Sequence, residues 1–153
     1  MDCSEEWRPD AMPTLVINRC ARALSRQVDE SLRAIGVSAA QLPVMVALKD
    51  GQGHTQKQLA EAACVEQPSM AQLLARMERD GLVRREKQPT DGRSSLVFLT
   101  DQAFEKLELG RGVLRRLDAE ICSIFTDAEK ATLLALLSRV QTASDAGAAS
   151  ARL

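Results

Sequence analysis

Polar side chains suited to hydrogen bonding with nucleic-acid bases lie together near the middle of the chain. Gln can pair with adenine through two hydrogen bonds, Arg can pair with guanine, and Ser can bind a base or a phosphate. The sequence offers Gln67, Ser69 and Gln72 at the start of a predicted helix, with Arg76 one turn on from Gln72 and on the same side. Each residue alone is equally well explained as ordinary helix-start chemistry. The prediction of base contacts therefore depends on their combination.

Positive charge is concentrated directly after these residues. The whole chain has a net charge of −1, yet residues 76–93 contain six Lys or Arg and four Asp or Glu. Cations that neutralise phosphates add affinity and salt dependence without selecting a sequence. We predict such contacts for Arg84, Arg85 and Lys87. A solvated hairpin with ordinary charges would explain the excess nearly as well.

A helix and a hairpin are predicted to position these side chains. Apolar residues recur at helical spacing over residues 67–80, and Gly81 follows where a helix needs a left-handed residue. Two strand-like runs, 82–85 and 95–99, flank a turn that contains Pro89 and Asp91-Gly92. A helix with a polar tip followed by a cationic hairpin is suited to a DNA groove and its phosphates.

Two short helices are predicted before this one. Ser38 with Gln41, and Thr55 with Gln58, each have the spacing of a capping box. The second short helix is joined tightly to the polar-tipped helix through Cys64-Val65. Two helices joined in this way are typical of a helix-turn-helix.

Long apolar helices flank this central region. Residues 13–37 carry a continuous apolar stripe that ends at Gly36, and residues 101–142 contain two further helices, the last one opened by a capping box at Thr126 and Glu129. Their spare apolar surface favours packing against a second copy of the chain. A monomeric bundle, in which the three helices cover one another, is the alternative.

The predicted fold class is mainly α with a small β-hairpin wing. A winged helix-turn-helix lobe occupies residues 38–100, with dimerisation helices at 13–37 and 101–142. Residues 1–12 are predicted to be a flexible arm and residues 143–153 a frayed tail.

Composition argues against several other classes of protein. The chain has no Gly-rich phosphate loop, no acid paired with a His and no nucleophile beside a base, so we predict that it is not an enzyme and needs no cofactor. Four cysteines without CxxC spacing and a single histidine, His54, disfavour a zinc cluster. We expect a structural role for His54. No signal peptide or long apolar run is evident, so we expect a cytoplasmic protein with free thiols and no membrane partner.

The run from Gln58 to Thr100 resembles the winged helix-turn-helix of the MarR family of bacterial transcriptional regulators. The resemblance is carried by Glu78–Leu82 (ERDGL), then Asp91-Gly92-Arg93, then Leu99-Thr100, and extends over residues 13–142. It implies a homodimer that binds a roughly palindromic DNA operator and usually represses transcription. It also implies release by a small ligand, for example a phenolic or aromatic effector, or by an oxidant.

The resemblance also implies roles for individual residues. The helix over 66–80 would lie in the major groove, and the wing over 83–99 would reach the minor groove. Arg93 matches the wing-tip arginine, and Asp91 matches the wing acid that braces a basic residue. The positions that face the major groove match Gln67, Ser69, Gln72 and Arg76.

Two other functions stay open. A winged helix can serve as a protein–protein interaction module, although such a module has no reason to keep a cationic wing tip at Arg93. A thiol-based redox regulator would use Cys20, but the peroxide-sensing position of some relatives aligns near Thr14, and the chain lacks the tyrosines that assist it. We expect Cys20, Cys64 and Cys122 to be small core residues and Cys3 to be exposed.

Overall fold

The structure is a computed structural model that describes residues 7–150, with side chains to residue 147. These residues form six α-helices and one β-hairpin. The helices are α1 (Pro13–Leu32), α2 (Leu42–Ala47), α3 (Gln56–Ala62), α4 (Gln67–Arg79), α5 (Asp101–Ile121) and α6 (Asp127–Ser150). The antiparallel strands are β1 (Val83–Lys87) and β2 (Ser95–Leu99). Short 3-10 turns lie at Pro9–Ala11, Arg33–Ile35 and Cys122–Ile124.

The chain divides into two compact units, Met1–Leu114 and Arg115–Leu153. The core of the first unit joins the end of α1 to α2, α3, α4, the hairpin and the start of α5. Its largest fully buried side chains include Leu32, Met45, Leu59, Leu74 and Leu82. Within residues 7–150, no helix contains an apolar stretch that could span a lipid bilayer.

The first helix is most deeply buried at its C-terminal end. Leu24 is 41% exposed, whereas Leu32 is fully buried in the core. The 3-10 turn then leads to Gly36, whose φ of 68° stops the helix as the sequence predicted. Part of the apolar stripe therefore remains exposed, as Leu15 and Leu24 do.

The capping-box prediction was right for α3 and placed α2 too early. The Thr55 N–H donates to Gln58 Oε1 at 2.8 Å, and the Gln58 N–H donates to Thr55 Oγ1 at 3.3 Å. The Ser38 N–H also donates to a Gln41 side-chain oxygen, at 2.9 Å, but α2 begins only at Leu42. Pro43 explains the difference, because proline is tolerated in the first turn of a helix and disrupts a later turn.

The backbone of His54 adds a bridge to the hairpin. The His54 N–H donates to the Val97 carbonyl at 3.1 Å, and the Val97 N–H donates to the His54 carbonyl at 2.8 Å. Because this bridge uses backbone atoms, the structural role predicted for the His54 side chain stays a prediction. The bridge ties the loop between α2 and α3 to β2.

Gly53 permits this loop to approach the wing closely. A Cβ atom at Gly53 would lie 2.4 Å from Phe98 Cζ, so the aromatic ring occupies the space that any other side chain needs. We expect Gly53→Ala to lower the free energy of unfolding by about 1–3 kcal/mol, as overpacking does elsewhere. Urea unfolding followed by circular dichroism measures this change.

Gly112→Ala is the matched control. Gly112 lies within α5, and a Cβ atom added there would have no heavy atom of the described residues within 4 Å, apart from its own helix backbone and chain neighbours. Alanine should stabilise the helix there by about 0.5–1 kcal/mol. Equal stability of the Gly53→Ala variant and the parent would contradict the close approach of Phe98.

The second unit contains the end of α5 and all of α6. The predicted capping box at its start is present: the Thr126 N–H and hydroxyl donate to Glu129 Oε2 at 2.8 and 2.9 Å, and these hydrogen bonds lower the pKa of Glu129. Instead of ending at residue 142, α6 continues to Ser150, so the start of the predicted tail is helical. Four alanines between residues 143 and 149 favour this extension.

Candidate nucleic-acid interface

A sharp turn between α3 and α4 sets the start of the polar-tipped helix. Cys64 has a φ of 53°, and it is the one described residue other than glycine with a positive φ. The Val65 N–H reaches back to the Ala60 carbonyl at 3.0 Å and the Cys64 N–H to the Glu61 carbonyl at 3.2 Å, which is the hydrogen-bond pattern of a Schellman motif. The sequence indicated a tight link here, but the left-handed residue was hidden because it is not a glycine.

The polar and apolar sides of α4 separate as predicted. Met70, Leu73, Leu74 and Met77 are buried in the core. The candidate base-reading residues are all exposed: Gln67, Ser69, Gln72 and Arg76. Pro68 lies in the first turn, where its missing N–H leaves no helical hydrogen bond unmade. The helix therefore presents a polar surface that a ligand can reach.

The end of α4 leads directly into the wing. Gly81 has a φ of 72°, and the Leu82 N–H donates to the Met77 carbonyl at 2.8 Å, forming a second Schellman motif. Leu82 is almost fully buried, so the turn is held by its side chain as well as by its backbone. The first wing strand then begins at Val83, and the connection between the two surface elements is short.

The tip of the wing is shaped by Asp91. Its Oδ1 atom accepts a hydrogen bond from the Arg93 N–H at 3.1 Å, and its carbonyl accepts one from the Ser94 N–H at 3.1 Å. The bond from Asp91 is made to the backbone of Arg93 rather than to its guanidinium group. Both side chains are exposed. The acid thus orders the turn that carries the arginine.

The cations at the base of the wing differ in their surroundings. Arg84 forms an ion pair with Glu86, and its guanidinium carbon lies 4.8 Å from the centre of the Phe98 ring. Arg85 pairs with Glu78 of α4, with 3.4 Å between Nε and Oε2. Within residues 7–147, no ion pair engages Arg76, Lys87 or Arg93. These three side chains are exposed and available to phosphates or bases.

Comparison with known proteins identifies the family to which the chain belongs. A sequence model of the MarR family matches residues 35–94, a range that includes every candidate site residue on α4 and the wing. The HTH-type transcriptional regulator YwoH of Bacillus subtilis is 31% identical over 114 residues, which are 74% of this chain and 82% of that protein. The chain belongs to the MarR family.

Two further relatives agree with this assignment. The transcriptional regulator HosA of Escherichia coli is 34% identical over 103 residues, covering 67% of this chain and 76% of HosA. A mutant of E. coli MarR, crystallised with operator DNA, is 27% identical with a TM-score of 0.76, covering 82% of this chain and 90% of MarR. The predicted family and the winged helix-turn-helix fold are therefore confirmed, and MarR-family proteins are DNA-binding transcriptional regulators.

The cysteines of this MarR-family chain do not fill the core as expected. Cys20 and Cys64 are exposed, and Cys122 is half-buried with its thiol 3.7 Å from an Asp118 oxygen. Cys20 lies on a part of α1 where most side chains are exposed, and Cys64 lies in the left-handed turn. Cys3 lies outside the described residues, as does the first half of the predicted arm. The described residues contain no cluster of His, Cys, Asp and Glu that could hold a metal ion.

Proposed function

We propose that the protein is a homodimeric repressor that reads a pseudo-palindromic operator, with α4 in the major groove and the β1–β2 wing in the minor groove. One observation carries the proposal: a helix with an exposed polar side is joined by a three-residue turn to a hairpin whose tip arginine has no ion-pair partner within the described residues. In a helix-turn-helix, the second helix contacts base edges through its N-terminal part. Here that part carries Gln67, Ser69 and Gln72.

The cationic residues are assigned different DNA contacts according to their position and their ion pairs. An arginine at a hairpin tip suits the narrow, electronegative minor groove, which assigns Arg93 to it. Lys87 has no competing acid within ion-pair distance among the described residues, so it is the best candidate for a phosphate contact. Arg76 extends the base-reading side of α4 by one turn. Arg84 and Arg85 add positive charge at the base of the wing.

Exposed apolar side chains support the homodimer. Large residues of α6 lie open in the single chain, with Leu134 69% exposed and Leu136 50% exposed. Leu15 and Leu24 of α1 are exposed as well. A second copy that covers these faces would give the pair two recognition helices, which could meet half-sites one DNA turn apart. Release of the operator by a small phenolic or aromatic effector belongs to the same proposal and follows from the family resemblance.

Selection from a library of random duplexes tests this function. The purified protein should enrich an inverted repeat, and binding to that repeat should weaken steeply as salt rises, since each neutralised phosphate contributes about −0.9 to the slope of log K against log salt. Enrichment of no sequence, or a binding constant that is insensitive to salt, would contradict the proposal.

Gln72→Ala should change which operator is selected. Loss of a two-bond contact to adenine costs about 1–3 kcal/mol of discrimination at one base pair. The variant should keep the parent's thermal stability, because Gln72 is exposed and makes no side-chain hydrogen bond with a described residue. Repeating the selection with this variant and with Gln141→Ala on α6 provides the comparison. An unchanged preference at every position would exclude base contact by Gln72.

A further inference from the structure

The ion pair between Glu78 and Arg85 differs from the others in the described residues. It joins the last turn of α4 to strand β1, whereas the remaining ion pairs lie within one element or between close neighbours in the chain. Arg79 with Asp80 is the nearest such local pair. Among the ion pairs of residues 7–147, the Glu78–Arg85 pair alone connects the two elements that the proposed function places on DNA.

Strand register explains why Arg85 faces the helix. Arg85 is paired with Val97 in the hairpin, and the Val97 side chain is fully buried. Partners across a strand pair point to the same side of the sheet, so Arg85 lies on the side that faces the core. Its side chain is 30% exposed, less than the 52% of Arg84 on the opposite side. Arg85 therefore lies on the side of the hairpin from which its guanidinium group reaches Glu78 of α4.

The orientation of the wing base matters because the hairpin acts as a lever. A strand advances about 3.3 Å per residue, so the tip lies roughly 20 Å from the base at Val83. A rotation of about 10° at the base would move the tip by about 3–4 Å, which is comparable to the length of a hydrogen bond. A contact that fixes the base therefore controls whether the tip and α4 fit the same duplex.

We propose that Glu78 and Arg85 are positioning residues: their ion pair fixes the wing relative to α4, so that both engage one half-site together. This inference depends on the proposed function. It assigns Arg85 a role within the protein in place of the phosphate contact expected from its charge. It also gives an acidic residue at the end of α4 a favourable effect on DNA binding.

The sign of the effect of Glu78→Gln on affinity tests the proposal. Removal of an unengaged acid beside DNA should strengthen binding, because it lowers repulsion of the phosphates. If the ion pair positions the wing, the same change should weaken binding about threefold per half-site, the size expected for an exposed ion pair, and about tenfold for a dimer. Asp80→Asn is the matched control and should leave affinity unchanged or raise it. Fluorescence anisotropy with the selected duplex measures both.

Variants of Arg85 separate positioning from phosphate contact. Arg85→Gln should weaken binding by a similar factor without changing the salt slope, and Arg85→Lys should recover most of the affinity. The double variant Glu78→Gln with Arg85→Gln should bind no more weakly than Arg85→Gln alone, because one interaction is lost in each case. Stronger binding by Glu78→Gln, or a slope reduced by about one per half-site in Arg85→Gln, would overturn the proposal.

Hydrogen exchange without DNA keeps this proposal separable from the proposed function. Amides of the β1–β2 ladder should exchange about threefold faster in Glu78→Gln and in Arg85→Gln than in the parent or in Asp80→Asn. If the parent binds no duplex, the proposed function fails. Faster exchange in both variants would still support an ion pair that fixes the wing relative to α4. Unchanged exchange in both variants would overturn the positioning role of the Glu78–Arg85 ion pair.

Discussion

Arg93→Ala should weaken binding to the selected operator about 100-fold while the protein remains folded. Loss of a guanidinium group from the minor groove is expected to cost about 1–2 kcal/mol per wing, and a dimer carries two wings. The structure of the wing tip explains why this substitution should affect binding and not folding. The turn is held through the Arg93 N–H and the Asp91 carboxylate, and alanine keeps that N–H.

Arg139→Ala provides the control for this measurement, because it removes the same charge from α6. Its affinity should stay close to that of the parent, and both variants should unfold at the parent's temperature. Anisotropy titrations at fixed salt and thermal unfolding by circular dichroism give the two readouts. Parental affinity in Arg93→Ala would remove the wing tip from the proposed interface. A lowered unfolding temperature would show instead that the arginine side chain has a structural role.

Leu134→Glu should separate the dimer into monomers and abolish operator binding. The side chain is 69% exposed in the single chain, so a charge at this position would cost a monomeric protein little stability. In a dimer that buries this face, the same carboxylate would be desolvated without gaining a hydrogen bond or an ion pair. Two half-sites could then no longer be held together, and affinity should fall by at least about 100-fold.

Analytical ultracentrifugation at several concentrations measures the oligomeric state. Thr142→Glu is the control, since it places a negative charge on the same helix at an exposed polar position about 80° around the helix from Leu134. It should remain dimeric and bind the operator. A Leu134→Glu variant that sediments like the parent would show that this part of α6 is not an interface. A parent that is monomeric throughout would contradict the homodimer itself.

Features that depend on near neighbours in the chain were predicted well. The spacing of Thr55 and Gln58 and that of Thr126 and Glu129 correctly marked the starts of α3 and α6. Gly81 marked the end of α4, and the short run of strand-forming residues at 95–99 placed β2. Helix caps, left-handed glycines and apolar periodicity act within a few residues, so the sequence displays them directly.

Features that depend on distant neighbours were missed. The His54–Val97 bridge is made by backbone atoms, which leave no mark in the residue types. The left-handed conformation of Cys64 was hidden because a non-glycine residue occupies it. The predicted burial of Cys20 was wrong for the single chain, since an apolar stripe shows which side of a helix is apolar and not how much of it is covered.

By itself, the sequence determined the kind of protein this is: the helix, turn and hairpin with their polar and cationic residues, in an order that matches the MarR family. The tertiary structure alone decided which of the cationic side chains have an acidic partner. Arg84, Arg85, Lys87 and Arg93 are alike as a charge pattern, yet folding pairs the first two with acids and leaves the other two without ion-pair partners among the described residues. The physical reason is that electrostatic interactions act through space, and only folding brings Glu78 to Arg85.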